Sequence, residues 1–310
     1  MITIIGYGSQ GSAWASCLAT SSLESLKKPR ISLPSQSKSL VQAEQDGFEA
    51  CYLEELPTKL DEDYRQRPEL GPPCVVMLCP DDQIPSVYDE ILASLSTPLC
   101  LVLGHGFAVY SGRLKAAHPE HRLSLLAPKA IGPALKSACL KARQADPAQG
   151  THGLYAATHF DKRDETYLSQ LALALGFSES HCIEATFEQE TIGDLISEQL
   201  LLCGGLFPLM KECLIQMKKA GIPQKLIEAE CFTELALLSE VVQQQGPKKT
   251  IEKISSAAQA GMMSMQRRWD ALNLSKEFEA QVEAIISKRF IDEFESKEWK
   301  NQLNQWLKDF

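Results

Sequence analysis

Ile2-Thr3-Ile4-Ile5-Gly6-Tyr7-Gly8-Ser9-Gln10-Gly11 decides how the rest of the chain is read. Four strand-forming residues run into a Gly-x-Gly-x-x-Gly turn, and a helix-like stretch follows, which is the setting that gives this motif its meaning. The first glycine permits the tight turn, the second lets the backbone approach a pyrophosphate, and the third brings helix and strand close. The helix N-terminus adds unpaired N–H groups and a partial positive charge for the phosphates. Gly6, Tyr7, Gly8, Ser9, Gln10 and Gly11 are therefore the candidate residues for binding a dinucleotide.

The following strand indicates which dinucleotide. An NAD site commonly places an acid on the ribose 2′-hydroxyl about 20 residues after the glycines. Between Ser25 and Ala43 there is no Asp or Glu, and the strand near Arg30–Leu33 ends in Pro34-Ser35-Gln36-Ser37-Lys38-Ser39. Hydroxyls and an ammonium suit a 2′-phosphate, so Ser37 and Ser39 are candidate NADP contacts. A serine-rich surface loop is the plainer explanation of the same residues.

Working outward, strand-like runs at Ile2–Ile5, Ile31–Leu33, Cys74–Leu78, Leu99–Leu103, Leu123–Leu126 and Leu154–Ala157 alternate with helical stretches such as Gln83–Leu95 and Glu165–Leu175. That alternation predicts a doubly wound parallel sheet with crossover helices, an α/β Rossmann domain over residues 1–178. Asp61–Pro73 reads as a polar surface excursion. From Glu188 onward no strand pattern is evident and 3.6-residue periods dominate, so residues 179–310 are expected to form an all-α domain.

Composition limits the function classes. The 310 residues are 44% hydrophobic with a net charge of −9 and no basic cluster, which argues against nucleic acid or an anionic membrane as partner. Ten cysteines are scattered without a Cys-x-x-Cys pair, a pattern of reduced thiols rather than a disulfide framework or zinc site. Ile91–Gly112 lacks acidic or basic side chains, but Pro98, His105 and three glycines make it a poor membrane span. Met1 directly precedes the first strand, so no leader is expected and a cytoplasmic location is.

In the helical part, Asp194 and Glu198 lie four apart, with Glu190 a turn earlier, and Glu230 and Glu234 repeat the spacing. Like charges at that spacing destabilise a helix by a few tenths of a kcal/mol, and apolar neighbours add a desolvation cost. A hard divalent cation, Mg²⁺ above all, would resolve both problems. On spacing alone, ordinary solvated helix faces remain the commoner explanation.

The order Gly6–Gly11, Leu78-Cys79-Pro80-Asp81-Asp82-Gln83, Gly104-His105-Gly106-Phe107, Ala127-Pro128-Lys129, and Glu184-Ala185-Thr186-Phe187 through Asp194, Glu198 and Cys203-Gly204-Gly205 resembles ketol-acid reductoisomerase in its short form with one helical domain. The likeness spans residues 2–261 and is most specific from Glu184 to Gly205. It implies Mg²⁺-dependent isomerisation of a 2-acetohydroxy acid, then NADPH reduction to a 2,3-dihydroxy acid, in branched-chain amino-acid synthesis. It further implies Asp194 as a carboxylate bridging two metals, Glu198 as ligand of the first, and Glu230 and Glu234 as ligands of the second. In the family this last pair comes from a partner subunit, so a homodimer or higher homo-oligomer is expected. His105, Lys129, Glu234 and Ser255 take catalytic or substrate-binding places, and Asp81 and Gln83 fall at the cofactor. A plain core or turn position is the alternative for His105.

Departures from the family are local. Its Gly-Pro-Gly-His after Lys129 is Ala130-Ile131-Gly132-Pro133, its Arg before the phosphate-binding serines is Pro34, and its serine-rich segment, here Lys253–Gly261, retains Ser255 but loses most of its neighbours. Thr233 stands for a histidine, and Glu228-Ala229 for Tyr-Phe. Two alternatives stay open: an NADP-dependent 2-keto or 3-hydroxy acid dehydrogenase without isomerisation, and a non-catalytic NADP-binding homologue.

Overall fold

The computed structural model describes residues 2–148 and 150–308. Chain contacts divide it into two units, Met1–Thr191 and Ile192–Phe310, with the division inside the Phe187–Ser197 helix.

The first unit is built on eight strands: β1 (Ile2–Ile5), β2 (Arg30–Leu33), β3 (Ala50–Tyr52), β4 (Cys74–Met77), β5 (Leu99–Leu103), β6 (His121–Pro128), β7 (Ala156–His159) and β8 (Cys182–Glu184). Their order is β3-β2-β1-β4-β5-β6-β7-β8. Every pairing is parallel except β6 with β7. The strands read as near-continuous apolar runs because both faces are covered. Ile2, Ile4, Cys74, Val76, Cys100 and Val102 pack on one side, with Trp14, Leu18, Leu135 and Leu171. The alternate residues Ile5, Val75, Met77, Leu99, Leu101 and Leu103 pack on the other, with Leu56, Leu60, Tyr88 and Leu92. The two-residue strand period thus sorts one sequence onto two cores.

The six expected strands are present, and two more extend the sheet at its ends. β8 lies beyond residue 178, so the sheet runs further along the chain than the expected change of architecture. Part of the expected polar excursion is also structured. Asp61–Gln66 completes a helix that starts at Leu56 and buries Leu56 and Leu60, one turn apart. That helix is held from outside its own face as well: Asp63 pairs with the buried Arg30 guanidinium at 2.8 Å, and Asp61 accepts a hydrogen bond from Thr97.

The second unit contains helices and, among its described residues, no strand. Its longer helices are Leu206–Lys219, Glu234–Gln245, Ser256–Ala271 and Leu274–Ile286. Two five-residue stretches, Glu198–Leu202 and Ala229–Thr233, are wound as π-helix. The unit has little interior. Among its described residues, Leu195, Ile227, Thr250 and Ile285 are buried, while Leu201, Leu209, Phe232, Leu237 and Leu238 are each about half exposed or more. The run Phe187–Lys219 is long and apolar enough to cross a membrane by length and composition, with a mean hydropathy of 1.4.

Candidate active site

The reversal of strand order falls between β1 and β4, both neighbours of the first crossover, and ligands of such sheets bind at the carboxyl ends of strands at that point. Gly6 follows β1 with φ +106, and a Cβ there would lie 2.6 Å from the Leu78 backbone at the end of β4. The turn is pinned from both sides: Gly6 N–H donates to Ser32 at 3.2 Å and Leu78 N–H to Ile5 at 2.8 Å. Gly11 passes so close to Gly6 that a Cβ would sit 2.2 Å from its carbonyl oxygen. Gly8, in contrast, faces open space, with nothing within 4 Å of a would-be Cβ. That is the position at which a pyrophosphate needs room. The Ser9–Ala19 helix begins there and directs its N–H groups at the same space.

Around this turn the other expected cofactor residues fall as follows. Tyr7 is buried and donates to Asp46 at 2.6 Å; burial first, and then this bond, raise its phenol well above the ordinary value. Gln10 donates to the Ala130 carbonyl at 2.8 Å, which fastens the altered Ala130–Pro133 segment to the turn. Gly132 touches it too, since a Cβ there would meet the Ser9 carbonyl at 2.1 Å. Ser37 and Ser39 are half-buried in the loop after β2, where Ser37 Oγ accepts from Ser39 N–H at 3.3 Å. No acid faces this loop in sequence, and Lys38 is exposed. Gln83 caps a short helix and is exposed, whereas Asp81 joins Gln10, Trp14 and His105 around a small cavity of about 150 Å³.

A charged arrangement stands beside this cavity. Lys129, at the end of β6, reaches Glu190 Oε1 at 2.6 Å. Gly106 N–H donates to Glu190 Oε2 at 2.8 Å. His105 Nε2 lies 3.8 Å from the same oxygen, and its Nδ1 lies 3.6 Å from Asp81. The Glu190 side chain is 1% exposed, so its charge is tolerated only because an ammonium and an amide N–H offset the desolvation. Gly106 has to be glycine: a Cβ would fall within 2.5 to 2.9 Å of Thr191, Phe187 and Glu190. Strand ends β5 and β6 thus grip the helix that carries Glu190.

In sequence, Glu190 stands only as an acid a turn before Asp194, with no pattern that assigns it a role. Its partner Lys129 is 61 residues away, and no local pattern signals that pairing.

In the second unit, Asp194 and Glu198 occupy the next two turns after Glu190 on the helical run Phe187–Leu202. Successive i,i+4 positions fall on one side of a helix, so these carboxylates form a stripe. Asp194 is half-buried and Glu198 exposed. Glu230 lies in the Ala229–Thr233 π turn and Glu234 opens the next helix. Both edge a groove of about 490 Å³ whose walls are otherwise Leu206, Leu209, Leu235, Leu238 and similar residues. Ser255 is a helix N-cap, accepting from Ala258 N–H at 3.2 Å.

A doubly wound sheet with this turn, followed by a helical unit bearing paired carboxylates, defines a pyridine-nucleotide oxidoreductase. Two family models match: the NADPH-binding domain of acetohydroxy acid isomeroreductase over residues 1–180, and the C-terminal domain of ketol-acid reductoisomerase over residues 187–309. The chain belongs to the ketol-acid reductoisomerase family. It is 31% identical over 268 residues to the ketol-acid reductoisomerase (NAD(+)) of Uncultured archaeon GZfos26G2, covering 85% of this chain and 75% of that one. It is 28% identical over 296 residues to the ketol-acid reductoisomerase (NADP(+)) of Sulfurisphaera tokodaii, covering 94% and 82%. Among solved structures, an NADH-preferring ketol-acid reductoisomerase from an uncultured archean superposes with a TM-score of 0.76 at 26% identity, covering 97% of this chain and 86% of that one. A pyrroline carboxylate reductase of Plasmodium falciparum shares the fold alone, with a TM-score of 0.56 at 16% identity. The chain is accordingly an NAD(P)-dependent reductoisomerase.

Proposed function

We propose that this enzyme isomerises a 2-acetohydroxy acid with Mg²⁺ and reduces the product with NADPH to a 2,3-dihydroxy acid, as a step of branched-chain amino-acid synthesis in the cytoplasm. The observation that carries the reading is the buried Glu190 carboxylate, fixed by Lys129 and Gly106, with Asp194 and Glu198 on the following turns of the same helix. A set made only of carboxylate oxygens suits a hard divalent cation and offers nothing to a soft one. Asp194 and Glu198 would hold the first Mg²⁺ with Asp194 shared, and Glu230 and Glu234 of a second copy would supply the other. Bound Mg²⁺ would polarise the substrate's carbonyl and hydroxyl oxygens and stabilise alkoxide charge.

The residues of this chain have their own tasks. Glu190 anchors Lys129, so that the ammonium stays at the carboxyl end of β6 beside the altered Ala130–Pro133 segment. His105, between Asp81 and Glu190, is placed to pass a proton at either ring nitrogen. The Gly6–Gly11 turn holds the pyrophosphate, and bound NADPH would supply the hydride. Ser37, Lys38 and Ser39, in a loop without acid, support the NADPH preference. The ten thiols are free, which supports a reducing compartment.

The test is NADPH oxidation with 2-acetolactate, with and without Mg²⁺, in wild type and Asp194→Asn. Wild type should turn over only with Mg²⁺, and Asp194→Asn should fall by orders of magnitude while still binding NADPH. Reduction of a simple 2-keto acid with no conversion of acetolactate would replace this reading with the plain dehydrogenase. NADPH binding without either turnover would leave a non-catalytic homologue.

A further inference from the structure

We propose that Cys213, Met217 and Cys231, in the helical unit, form a binding site for a soft monovalent cation, Cu(I). The Cys231 thiol donates to the Met217 thioether sulfur at 3.6 Å. Two sulfurs bonded at about 2.3 Å to a common ion sit no more than about 4.6 Å apart, so this pair is already close enough to share one. Cys213 and Met217 are one turn apart on the Leu206–Lys219 helix and therefore neighbours on its face. They continue the stripe of Leu206, Leu209 and Met210 that walls the groove of about 490 Å³, and Cys213 and Cys231 both line that groove. In the single chain Cys213 is exposed and Cys231 half-buried. Cys231 lies within the Ala229–Thr233 π turn, a local widening that frequently accompanies functional sites.

The ligand set selects the metal. Thiolate and thioether sulfur favour Cu(I). Zinc takes cysteine, histidine and carboxylate ligands, usually four of them, and a thioether is not among those. Iron–sulfur clusters require more cysteines than two. Binding would break the two S–H bonds, form Cu–S bonds to both thiolates and to the thioether, and release two protons to the buffer. No electron changes hands. This site uses sulfur ligands only and none of the Mg²⁺ carboxylates, although Glu230 and Glu234 edge the same groove.

The experiment is an anaerobic competition for Cu(I), kept reduced with ascorbate, between the full-length protein in its native oligomeric state and the chromophoric chelator bicinchoninate. Wild type should withdraw one Cu(I) per chain. Cys213→Ser, Cys231→Ser and Met217→Leu should each weaken that affinity tenfold or more. Cys203→Ser, an exposed thiol outside the trio, should leave it unchanged. Met217→Leu keeps volume and apolarity, so it tests the thioether even where a cysteine variant folds poorly. The proposal is overturned if wild type withdraws no copper, if Cys203→Ser loses as much as Cys213→Ser, or if Met217→Leu binds as wild type does.

Discussion

Three glycines of one motif have three separate duties, and they can be told apart at single positions. Gly11→Ala forces a Cβ against the Gly6 carbonyl at 2.2 Å, so the helix and β1 must separate. Its thermal midpoint should drop by several degrees, in line with about 1–3 kcal/mol for overpacking a tight contact. Gly8→Ala meets nothing within 4 Å, so the protein should melt as wild type does while NADPH affinity falls at least tenfold. Calorimetry and cofactor titration on both variants separate the two duties; a Gly8→Ala protein with normal affinity would show that no phosphate approaches there. The loop after β2 makes a second prediction at this scale. NADPH should bind more tightly than NADH, and Ser37→Asp with Ser39→Asp should narrow or reverse the preference, because a carboxylate repels a 2′-phosphate yet accepts from a ribose hydroxyl. Equal affinities in the unmodified protein would end the NADP assignment. The glycine turn was legible because its residues are adjacent in sequence. The Lys129–Glu190 pair was not, because the sheet and one helix bring it together across 61 residues.

Elements were legible in proportion to how much of them is buried. β5, with all five residues buried, matches its expected span, and the long strands were found within a few residues. β3 and β8 escaped because each has three residues, with one or none buried, too few to show an alternation. The Leu56–Gln66 helix was half missed because its apolar stripe ends at Leu60 and the remainder is polar. Two buried histidines tie elements together and make a pH prediction. His152 Nε2 bonds the Leu175 carbonyl at 3.0 Å while its Nδ1 accepts from Leu154 N–H at 3.3 Å. His121 Nδ1 lies 2.9 Å from the Tyr88 hydroxyl, which itself accepts from Ala117 N–H at 2.8 Å. A proton on His152 Nδ1 would break the bond from Leu154 N–H. Burial, as the largest cause, lowers both histidines below their ordinary value. Between that lowered value and the unfolded value of about 6.5, the unfolded chain binds protons that the folded chain does not, so stability falls on acidification. The thermal midpoint should decline below about pH 6.5, and His121→Gln with His152→Gln should flatten that decline by about one proton per histidine. An unchanged slope in the double variant would assign the acid sensitivity elsewhere.

At the scale of the whole molecule, the helical unit cannot cover its own apolar surface. Among its described residues, four are buried against a long series of exposed ones, including Leu201 at 67% and Leu272 at 68%. Apolar patches of that extent mark an interaction surface. A bilayer is a poor occupant of the Phe187–Lys219 stretch, since Asp194 and Glu198 lie within it and each carboxylate there costs several kcal/mol. We propose a second copy instead, because an isologous pairing would cover the same patch on both chains. Light scattering should give at least twice the 34.3 kDa chain mass at micromolar concentration, and a stable monomer would contradict the assignment of Glu230 and Glu234 to a neighbour's site. The two π turns carry one further consequence, for how such a chain tolerates change in length. A π turn holds one residue more than an α turn, and both lie at expected metal carboxylates, Glu198 and Glu230. Deleting one residue within either would leave an ordinary, even smoother helix whose later side chains keep nearly their former direction, whereas the same deletion in an α turn would swing them by about 100° around the axis. A gap of a single position at 198–202 or 229–233 should therefore leave the far end of each helix facing as before, whereas a gap in the α turns on either side would turn it away.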